Sequence, residues 1–350
     1  MRLPRILHVV DRTSGGVPVA VQTYLDNSPP GVSHIVITPF ENGEPPKHWI
    51  GHNCDLVDLG MGHLARIKRL RLTIKALRPS AVHAHSSFSG LYARLSTSSQ
   101  RTQPVIYSPH CFAFERTDQS RLLRFVYRSI ERLLARNTHV VAACSRREAE
   151  IALNSLPRLS GRAVAIPNIR SIYPANATAW PGGQLVVGMI GRISPQKSPS
   201  TYVDLVERLR AAQPQVRGLW LGDGPPAERN KLKDRGVEIS GWLSPAKLRE
   251  QLISCDLYIH SAAWEGFPIA VLDAHAAGLP ILVRQIGAFA DVPRRLTVEE
   301  GFETMSIALS SPDSFNAWAA ENRSHWEQFL SENTPEVQQH MLRQVWCHDV

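Results

Sequence analysis

Long apolar runs are missing from this 350-residue chain, and the stretch nearest to one, residues 267–283, is broken by Asp273 and Pro280. A bilayer span needs about 20 consecutive apolar residues, so no transmembrane helix is expected. Near the start, Arg2 and Arg5 precede only the short run 6–10 before Asp11 and Arg12, fewer than the roughly 7–15 residues of a signal-peptide core. Cysteine is scarce. Cys54, Cys111, Cys144, Cys255 and Cys347 are odd in number, far apart and without a C-x-x-C pair, which excludes a disulfide framework and a structural zinc finger. These absences predict a reduced, cytoplasmic protein. No Asp-x-Asp occurs to hold a divalent cation, and His83-Ala-His85 has no third ligand nearby. A dinucleotide fold would want G-x-G-x-x-G after a strand, but Thr13-Ser14-Gly15-Gly16 and Gly188-Met189-Ile190-Gly191 stand there, and no P-loop ending occurs. The 22 glycines and 25 prolines follow no period, which excludes collagen-like and solenoid chains.

What the chain does contain is the composition of a packed protein. Hydrophobic residues make up 43% of it, close to ordinary globular usage. Its length exceeds the roughly 100–200 residues of one domain, so two are expected. Short β-rich apolar runs at 5–10, 34–38, 81–85, 104–107, 140–143 and 163–167, then at 185–190, 216–221, 237–240, 257–260 and 280–283, alternate with helical patterns such as 17–25, 64–77, 121–136, 199–212, 245–253 and 268–277. Such alternation predicts α/β domains, each a doubly wound, Rossmann-like parallel sheet with helices on both faces. It stops at 168–184, where two prolines and two glycines without apolar periodicity mark a linker. Residues 1–168 are therefore read as an N-terminal acceptor-side domain, 169–184 as the linker and 185–334 as a C-terminal domain. The two are expected to face a cleft where strand ends gather. The amphipathic spacing of 335–346 predicts a last helix, within 335–350, that docks back on the first domain.

Charge is unevenly placed. Residues 1–170 hold 23 Lys and Arg against 11 Asp and Glu, a net of +12, and the remainder hold 16 against 20, a net of −4, within an overall +8. A basic first half fits an anionic partner. Arg121, Arg124, Arg128, Arg132 and Arg136 recur at spacings of three and four and fall within roughly a 120° arc of a helix. Leu122, Leu123, Val126, Ile130, Leu133 and Leu134 take the other side. Two readings stay open: a solvated face over a helix whose apolar side is packed, or a face that meets anionic lipid or an acceptor's phosphate. Residues 64–78, with six cations and no acid, add to the second. Nucleic acid is not expected, because no recognition module or interleaving of aromatic and basic residues is present.

Three segments carry chemistry. Gly15-Gly16 stand between a strand and a helix, where bare backbone amides favour an anion. The strand 185–190 runs into Gly191-Arg192 and Lys197 follows five residues later, so a planar fork and a point charge at one strand end suit a diphosphate. The longest signal is WEGFPIAVLDAHAAGLP, residues 264–280. Pro268 suits the first turn of a helix, Gly278 its C-cap and Pro280 its stop. Glu265 and Asp273 are then at most about 12 Å apart along the axis. That spacing lets one carboxylate take the sugar and the other the ribose of one nucleotide-sugar, with the amides of Gly266 and Phe267 between. Each feature alone also fits a tight turn, a solvated pair or a cap.

Together and in this order, Gly15-Gly16, His110, Arg192 with Lys197, and Glu265 with Asp273 make the chain resemble the retaining GT-B glycosyltransferases of family 4, the glycosyl transferases group 1. The likeness is densest over 239–283. It departs from the family pattern where Asp273 replaces a glutamate, where Pro167-Asn168-Ile169 replaces Pro-Asn-Gly, and where Val17-Pro18 replaces Ala-Glu. The resemblance implies a GT-B fold, a nucleotide-sugar donor as substrate, and no cofactor or metal. It implies Arg192 and Lys197 on the diphosphate, Glu265 on sugar hydroxyls, Asp273 on the ribose, and His110 near the anomeric centre, with Gly15, Gly16, Gly191, Gly266 and Phe267 lining the donor. It further implies a glycan or lipid-linked acceptor of surface polysaccharide synthesis and front-face attack without a protein nucleophile. The cytoplasmic location would then be peripheral, at the inner face of the plasma membrane. A GT-B nucleotide-sugar epimerase, or an inactive nucleotide-sugar-binding protein, stays open on the same residues. Cys111 follows His110, but neighbours on an extended segment point to opposite faces, so a Cys-His nucleophile pair is not expected.

Overall fold

The computed structural model describes residues 4–97, 103–159, 161–169 and 179–347, so most of the expected linker, 170–178, lies outside the described residues. Contacts divide the chain into two compact units, Met1–Ile169 with Asn333–Val350, and Arg170–Glu332.

In the first unit β1 (Arg5–Val10), β2 (Ser33–Thr38), β3 (Asp55–Asp58), β4 (Ala81–His85), β5 (Val105–Ser108), β6 (Val140–Ala143) and β7 (Ala163–Ala165) form a parallel sheet in the order β3-β2-β1-β4-β5-β6-β7. Apolar patterning misses β3, because Asp-Leu-Val-Asp at a sheet edge is only partly covered and carries an acid at each end. The connecting helices are α1 (Gly16–Asp26), α2 (His63–Leu77), α3 (Ser87–Thr97), α4 (Arg121–Leu134) and α5 (Arg146–Ser155). Strands covered on both faces read as unbroken apolar runs, and β1 and β2 are buried after their first residue. One face packs Leu7, Ile35 and Val82 against Leu70 and Ile74 of α2 and Tyr92 of α3. On the other, Ile6, Ala81 and Ile106 meet Tyr24 of α1 and Leu342, Val345 and Trp346 of the helix Pro335–Trp346, which returns to this unit. That second face also carries a polar seam. Register places His8 opposite His83, the two-residue period of β4 adds His85, and His34 of β2 joins them, all four buried.

Polar groups hold α4 in place. The fully buried Arg94 of α3 forks onto Glu131 of α4 at 2.7 and 3.3 Å and lies over the Tyr107 ring, whose hydroxyl donates to Glu131 at 3.1 Å. Arg124 donates to the Phe114 carbonyl at 2.8 Å, Arg128 sits 5.0 Å from the Phe114 ring centroid, and Arg132 donates to the Ser155 carbonyl at 2.9 Å. The apolar residues face outward: Leu122, Phe125 and Leu133 are 74%, 62% and 59% exposed, and Val126 and Ile130 are exposed too. The expected packed apolar side is thus the exposed one, while Arg124 and Arg128 are half-buried and Arg121, Arg132 and Arg136 stay exposed. The inner surface is taken by the Arg94–Glu131 pair and by an aromatic ring that guanidinium groups cover well. Of the six apolar residues placed on the packed side only Leu134 is buried, and Arg136 lies in the 3-10 turn that follows the helix.

The second unit is a parallel sheet of β8 (Leu185–Ile190), β9 (Val216–Leu221), β10 (Val237–Ile239), β11 (Leu257–His260) and β12 (Ile281–Val283), in the order β10-β9-β8-β11-β12. Its helices are α6 (Pro199–Ala212), α7 (Pro226–Asp234), α8 (Pro245–Ile253), α9 (Ile269–Ala276), α10 (Val298–Ala308) and α11 (Pro312–Phe329), and the returning helix is α12. Strand order reverses between β1 and β4 in one sheet and between β8 and β11 in the other. At such switch points neighbouring loops part and leave room for a ligand at the strand C-termini. Among the described residues, no helix is long and apolar enough to cross a membrane.

The Arg94–Glu131 pair yields a stability prediction. Glu131→Ala strands a buried guanidinium and should lower the unfolding free energy by about 3–5 kcal/mol. Arg94→Met with Glu131→Leu removes both charges and should recover most of the loss, as measured by denaturant unfolding.

Candidate functional site

In the second unit the two switch loops are fastened together. Ser261 Oγ donates to the Lys197 carbonyl at 2.8 Å, and the Ala263 amide donates to the Gln196 carbonyl at 2.8 Å. This sets Lys197 Nζ 2.5 Å from Glu265 Oε1, with Gln196 Nε2 3.3 Å from Glu265 Oε2. Gly191 makes room for that geometry. A Cβ there would fall 2.7 Å from Lys197 Cε, while the Gly191 carbonyl is anchored by Trp220 Nε1 at 2.7 Å. Burial pushes the Glu265 carboxyl up, but the Lys197 ammonium and His260 outweigh it and hold the group at about 2. His260, fully buried at the end of β11, is held at about 4 by burial first and by Lys197 second, against the pull of Glu265. Its Nδ1 pairs with Tyr258 Oη at 3.1 Å; its Nε2 stands 3.6 Å from Glu265 Oε1, beyond hydrogen-bond reach, and has no hydrogen-bond partner among the described residues. Arg192 is solvent-exposed beside this pair in sequence.

The helix after Glu265 begins one residue later than expected. Pro268 is its N-cap rather than its first turn, and α9 spans Ile269–Ala276. It ends in a Schellman motif: Gly278 N donates to the His275 carbonyl at 2.9 Å and Leu279 N to the Ala274 carbonyl at 3.1 Å, with Gly278 at φ 78°. Gly266 and Phe267 are buried just before α9, and Asp273 is half-buried about one turn along it.

In the first unit Gly15, at φ 92°, is the N-cap of α1 and offers no side-chain cap, so Gly15 and Gly16 present exposed backbone. Asp11, just after β1, accepts hydrogen bonds from Ser86 Oγ and, at 2.7 Å, from Ser89 Oγ. Ser86, His110 and Cys111 all adopt left-handed backbone, at φ 86°, 50° and 94°, at the ends of adjacent strands β4 and β5. Side-chain-bearing residues adopt this conformation uncommonly, and clusters of them mark active sites and tight turns. The segment at Cys111 is therefore not extended, and the alternation invoked against a Cys-His pair does not apply to it. Buried Glu148 fixes this turn by accepting from the Cys111 amide at 2.6 Å and the Cys144 amide at 2.8 Å.

Residues 7–168 match the glycosyl transferase 4-like domain family and residues 184–321 the glycosyl transferases group 1 family. The chain belongs to the GT-B glycosyltransferases. An Escherichia coli UDP-Gal:α-D-GlcNAc-diphosphoundecaprenol α-1,3-galactosyltransferase is 25% identical over 262 residues, 69% of this chain and 66% of its own. Solved structures give the same fold over nearly the whole chain. A Thermosynechococcus elongatus sucrose-phosphate synthase aligns at TM-score 0.80 with 16% identity, covering 98% of this chain and 99% of its own. Anabaena HepE, in complex with UDP and glucose, aligns at 0.74 with 16% identity and the same coverage.

The glycosyltransferase does hold a third histidine near His83 and His85, which the sequence reading did not see. His8 reaches them across the β1–β4 pairing, and the three ring nitrogens lie within 4.8 Å of one another. The donor set does not fit a metal. Ser108 Oγ donates to the Ala142 carbonyl, so His83 Nε2 is the donor to Ser108; Trp346 Nε1, which can only donate, occupies His83 Nδ1 at 3.2 Å. His83 therefore has no lone pair left to give. Sequence reasoning also missed Asp11, Gln196 and His260. His260 alone had a usable signal, a histidine ending an apolar strand five residues before Glu265.

Lys197 and Glu265 should be coupled in stability. Lys197→Ala leaves a mostly covered carboxylate and should cost about 3 kcal/mol, which Glu265→Gln in the same chain should largely restore without restoring activity. Because Glu265 sits below its ordinary 4.5, its stabilising contribution is complete above that value and is lost as pH falls toward about 2. Removing Lys197 should move this loss to higher pH, visible as melting temperature against pH.

Proposed function

We propose that this glycosyltransferase moves a hexosyl group from a nucleoside-diphosphate-sugar to an acceptor hydroxyl with retention at the anomeric carbon and without a metal or other cofactor. The observation that carries this reading is the 2.5 Å Lys197–Glu265 pair at the switch strands, a cation for phosphate beside a carboxylate for sugar hydroxyls. Lys197 and Arg192 would stabilise the charge that builds on the departing diphosphate, already in place before it forms. Glu265 would take hydroxyls of the donor sugar together with His260 Nε2. Asp273 would take the ribose, and the Gly266 and Phe267 amides the diphosphate. The first unit would contribute the Gly15-Gly16 backbone and, near the anomeric centre, His110. The acceptor oxygen attacks from the face that the diphosphate leaves, so no protein nucleophile is needed.

A lipid-linked or growing glycan of cell-surface polysaccharide synthesis is the acceptor this reading favours, supported by the undecaprenol-linked substrate in the Escherichia coli relative's name. The surface of the first unit supports an anionic membrane as the place of reaction, by a different route from the arginine ladder. Leu122, Phe125 and Leu133 form an exposed ridge on α4, bordered by exposed Arg121, Arg132 and Arg136, and Leu64 and Leu72 of α2 are 84% and 59% exposed among arginines and lysines. Apolar side chains at the headgroup boundary with cations around them are the pattern of an interfacial helix. Arg124 and Arg128 are turned to Phe114 instead.

A UDP-sugar panel with a polyprenyl-diphosphate-linked sugar acceptor tests the reaction. We expect a product with the donor's anomeric configuration, formed equally well in chelator. An epimerised donor without transfer, or loss in chelator restored by magnesium, would contradict the reading. For the membrane, Leu122→Ser with Phe125→Ser and Leu133→Ser should weaken cosedimentation with phosphatidylglycerol vesicles about tenfold or more, since each such side chain contributes up to about 1.5–3 kcal/mol when buried. Arg121→Gln with Arg136→Gln should weaken it less and mainly at low salt.

A further inference from the structure

The polar seam of the first unit does not stop at the sheet. Ser28 Oγ lies 2.7 Å from His34 Nε2, His34 Nδ1 3.1 Å from His8 Nε2, His8 Nδ1 3.1 Å from His85 Nε2, and His85 Nδ1 3.3 Å from His110 Nε2. Four imidazoles thus stand in single file. They run from the loop between α1 and β2, at the edge where strands begin, to the opposite edge, where His110 follows β5.

A neutral imidazole has one N–H and one lone pair. Both nitrogens of His34, His8 and His85 are engaged in the file, so every ring must be oriented alike, and only two arrangements exist. In one, Ser28 donates to His34, all four rings are Nδ1–H, and His110 Nδ1 is a donor. In the other, all four are Nε2–H, Ser28 donates instead to the Pro29 carbonyl at 3.3 Å, and His110 Nδ1 presents a lone pair. Burial keeps the rings neutral, holding His8 and His85 well below their ordinary value and His34 and His110 at about 4; the other groups that lower His8 and His85 are histidines. His83 stands beside the file with its own nitrogens engaged by Ser108 and Trp346, and Tyr24 and Trp346 wall it in.

We propose that this file is a proton conduit that takes up the proton released by the acceptor hydroxyl, which rests on the reading of His110 as a residue that meets substrate. As the acceptor oxygen bonds to the anomeric carbon, its O–H bond breaks and the carbon–oxygen bond to the diphosphate breaks with the electron pair on the diphosphate. The proton enters at His110 Nδ1. The Nε2 protons of His110, His85, His8 and His34 each pass to the next group, and Ser28 releases one proton at the far edge. Between turnovers the reverse shift, in exchange with solvent, restores the lone pair at His110.

His34→Gln separates relay from packing. An amide hydrogen-bonds through nitrogen and oxygen but cannot pass a proton between them, and position 34 is three imidazoles away from the substrate end. We expect kcat to fall about tenfold or more with both KM values unchanged, and the solvent-deuterium inventory, bowed in the wild type, to become linear. His110→Ala should abolish transfer. An unchanged kcat and inventory in His34→Gln, beside an inactive His110→Ala, would overturn the conduit and leave the transferase reading standing. Full activity in both variants would overturn the reading of His110 as well. Should His34→Gln fail to fold, ring-nitrogen chemical shifts of the wild type decide: all four histidines in one common neutral tautomer support the file, and mixed or charged rings overturn it.

Discussion

A strand hydrogen-bonded on both edges and covered by helices on both faces has no dry place for an unsatisfied polar side chain, and this constraint organises the whole chain. Both sheets are parallel, so their chemistry is driven to the strand ends, where loops meet water and helix N-termini supply amides. Asp11, Ser86 and His110 end strands of one sheet; Lys197, His260 and Glu265 end or closely follow strands of the other. A histidine seam survives inside the first sheet because His34, His8 and His85 satisfy one another's nitrogens along a line, while Ser108 and Trp346 engage those of His83. What forbids most polar residues there also makes this set of hydrogen bonds directional.

Opposite charges close on each other at the switch strands of the second unit. Lys197 and Glu265 hold each other at 2.5 Å, so a sugar diphosphate bound as proposed would exchange one close ion pair for two charge-assisted contacts, one to each end of itself. That exchange favours a ligand carrying both an anionic group and hydroxyls at the right separation over either alone. Inorganic phosphate would leave the carboxylate without its cation, and a free sugar would leave the pair closed.

Most of the fold was legible because its signals are local. Apolar runs bounded by glycine and proline identify strands, and the Gly278-Leu279-Pro280 stop identifies the end of α9. Glu265 and Lys197 were legible as residue types at loop positions. What was not legible depends on which strand lies beside which. His8 and His83 are 75 positions apart in the sequence and become neighbours only through the β1–β4 register. Likewise, helical periodicity assigns two faces to α4 but not which one turns inward. That was decided by Arg94 and Phe114, from other elements, whose chemistry selects Glu131, Arg124 and Arg128 over the leucines.

The helix α12 closes a core whose other members were made long before it. Ile6, Tyr24, Ile106 and Ile166 lie against Leu342, Val345 and Trp346, and Trp346 also supplies the indole N–H that fixes His83. During synthesis the first unit emerges with that face bare and keeps it so while the entire second unit is translated, an interval on the order of ten seconds or more at usual ribosomal rates. The N-terminal half is therefore finished last, and a nascent chain halted after the second unit would display an oily cleft rather than a completed domain.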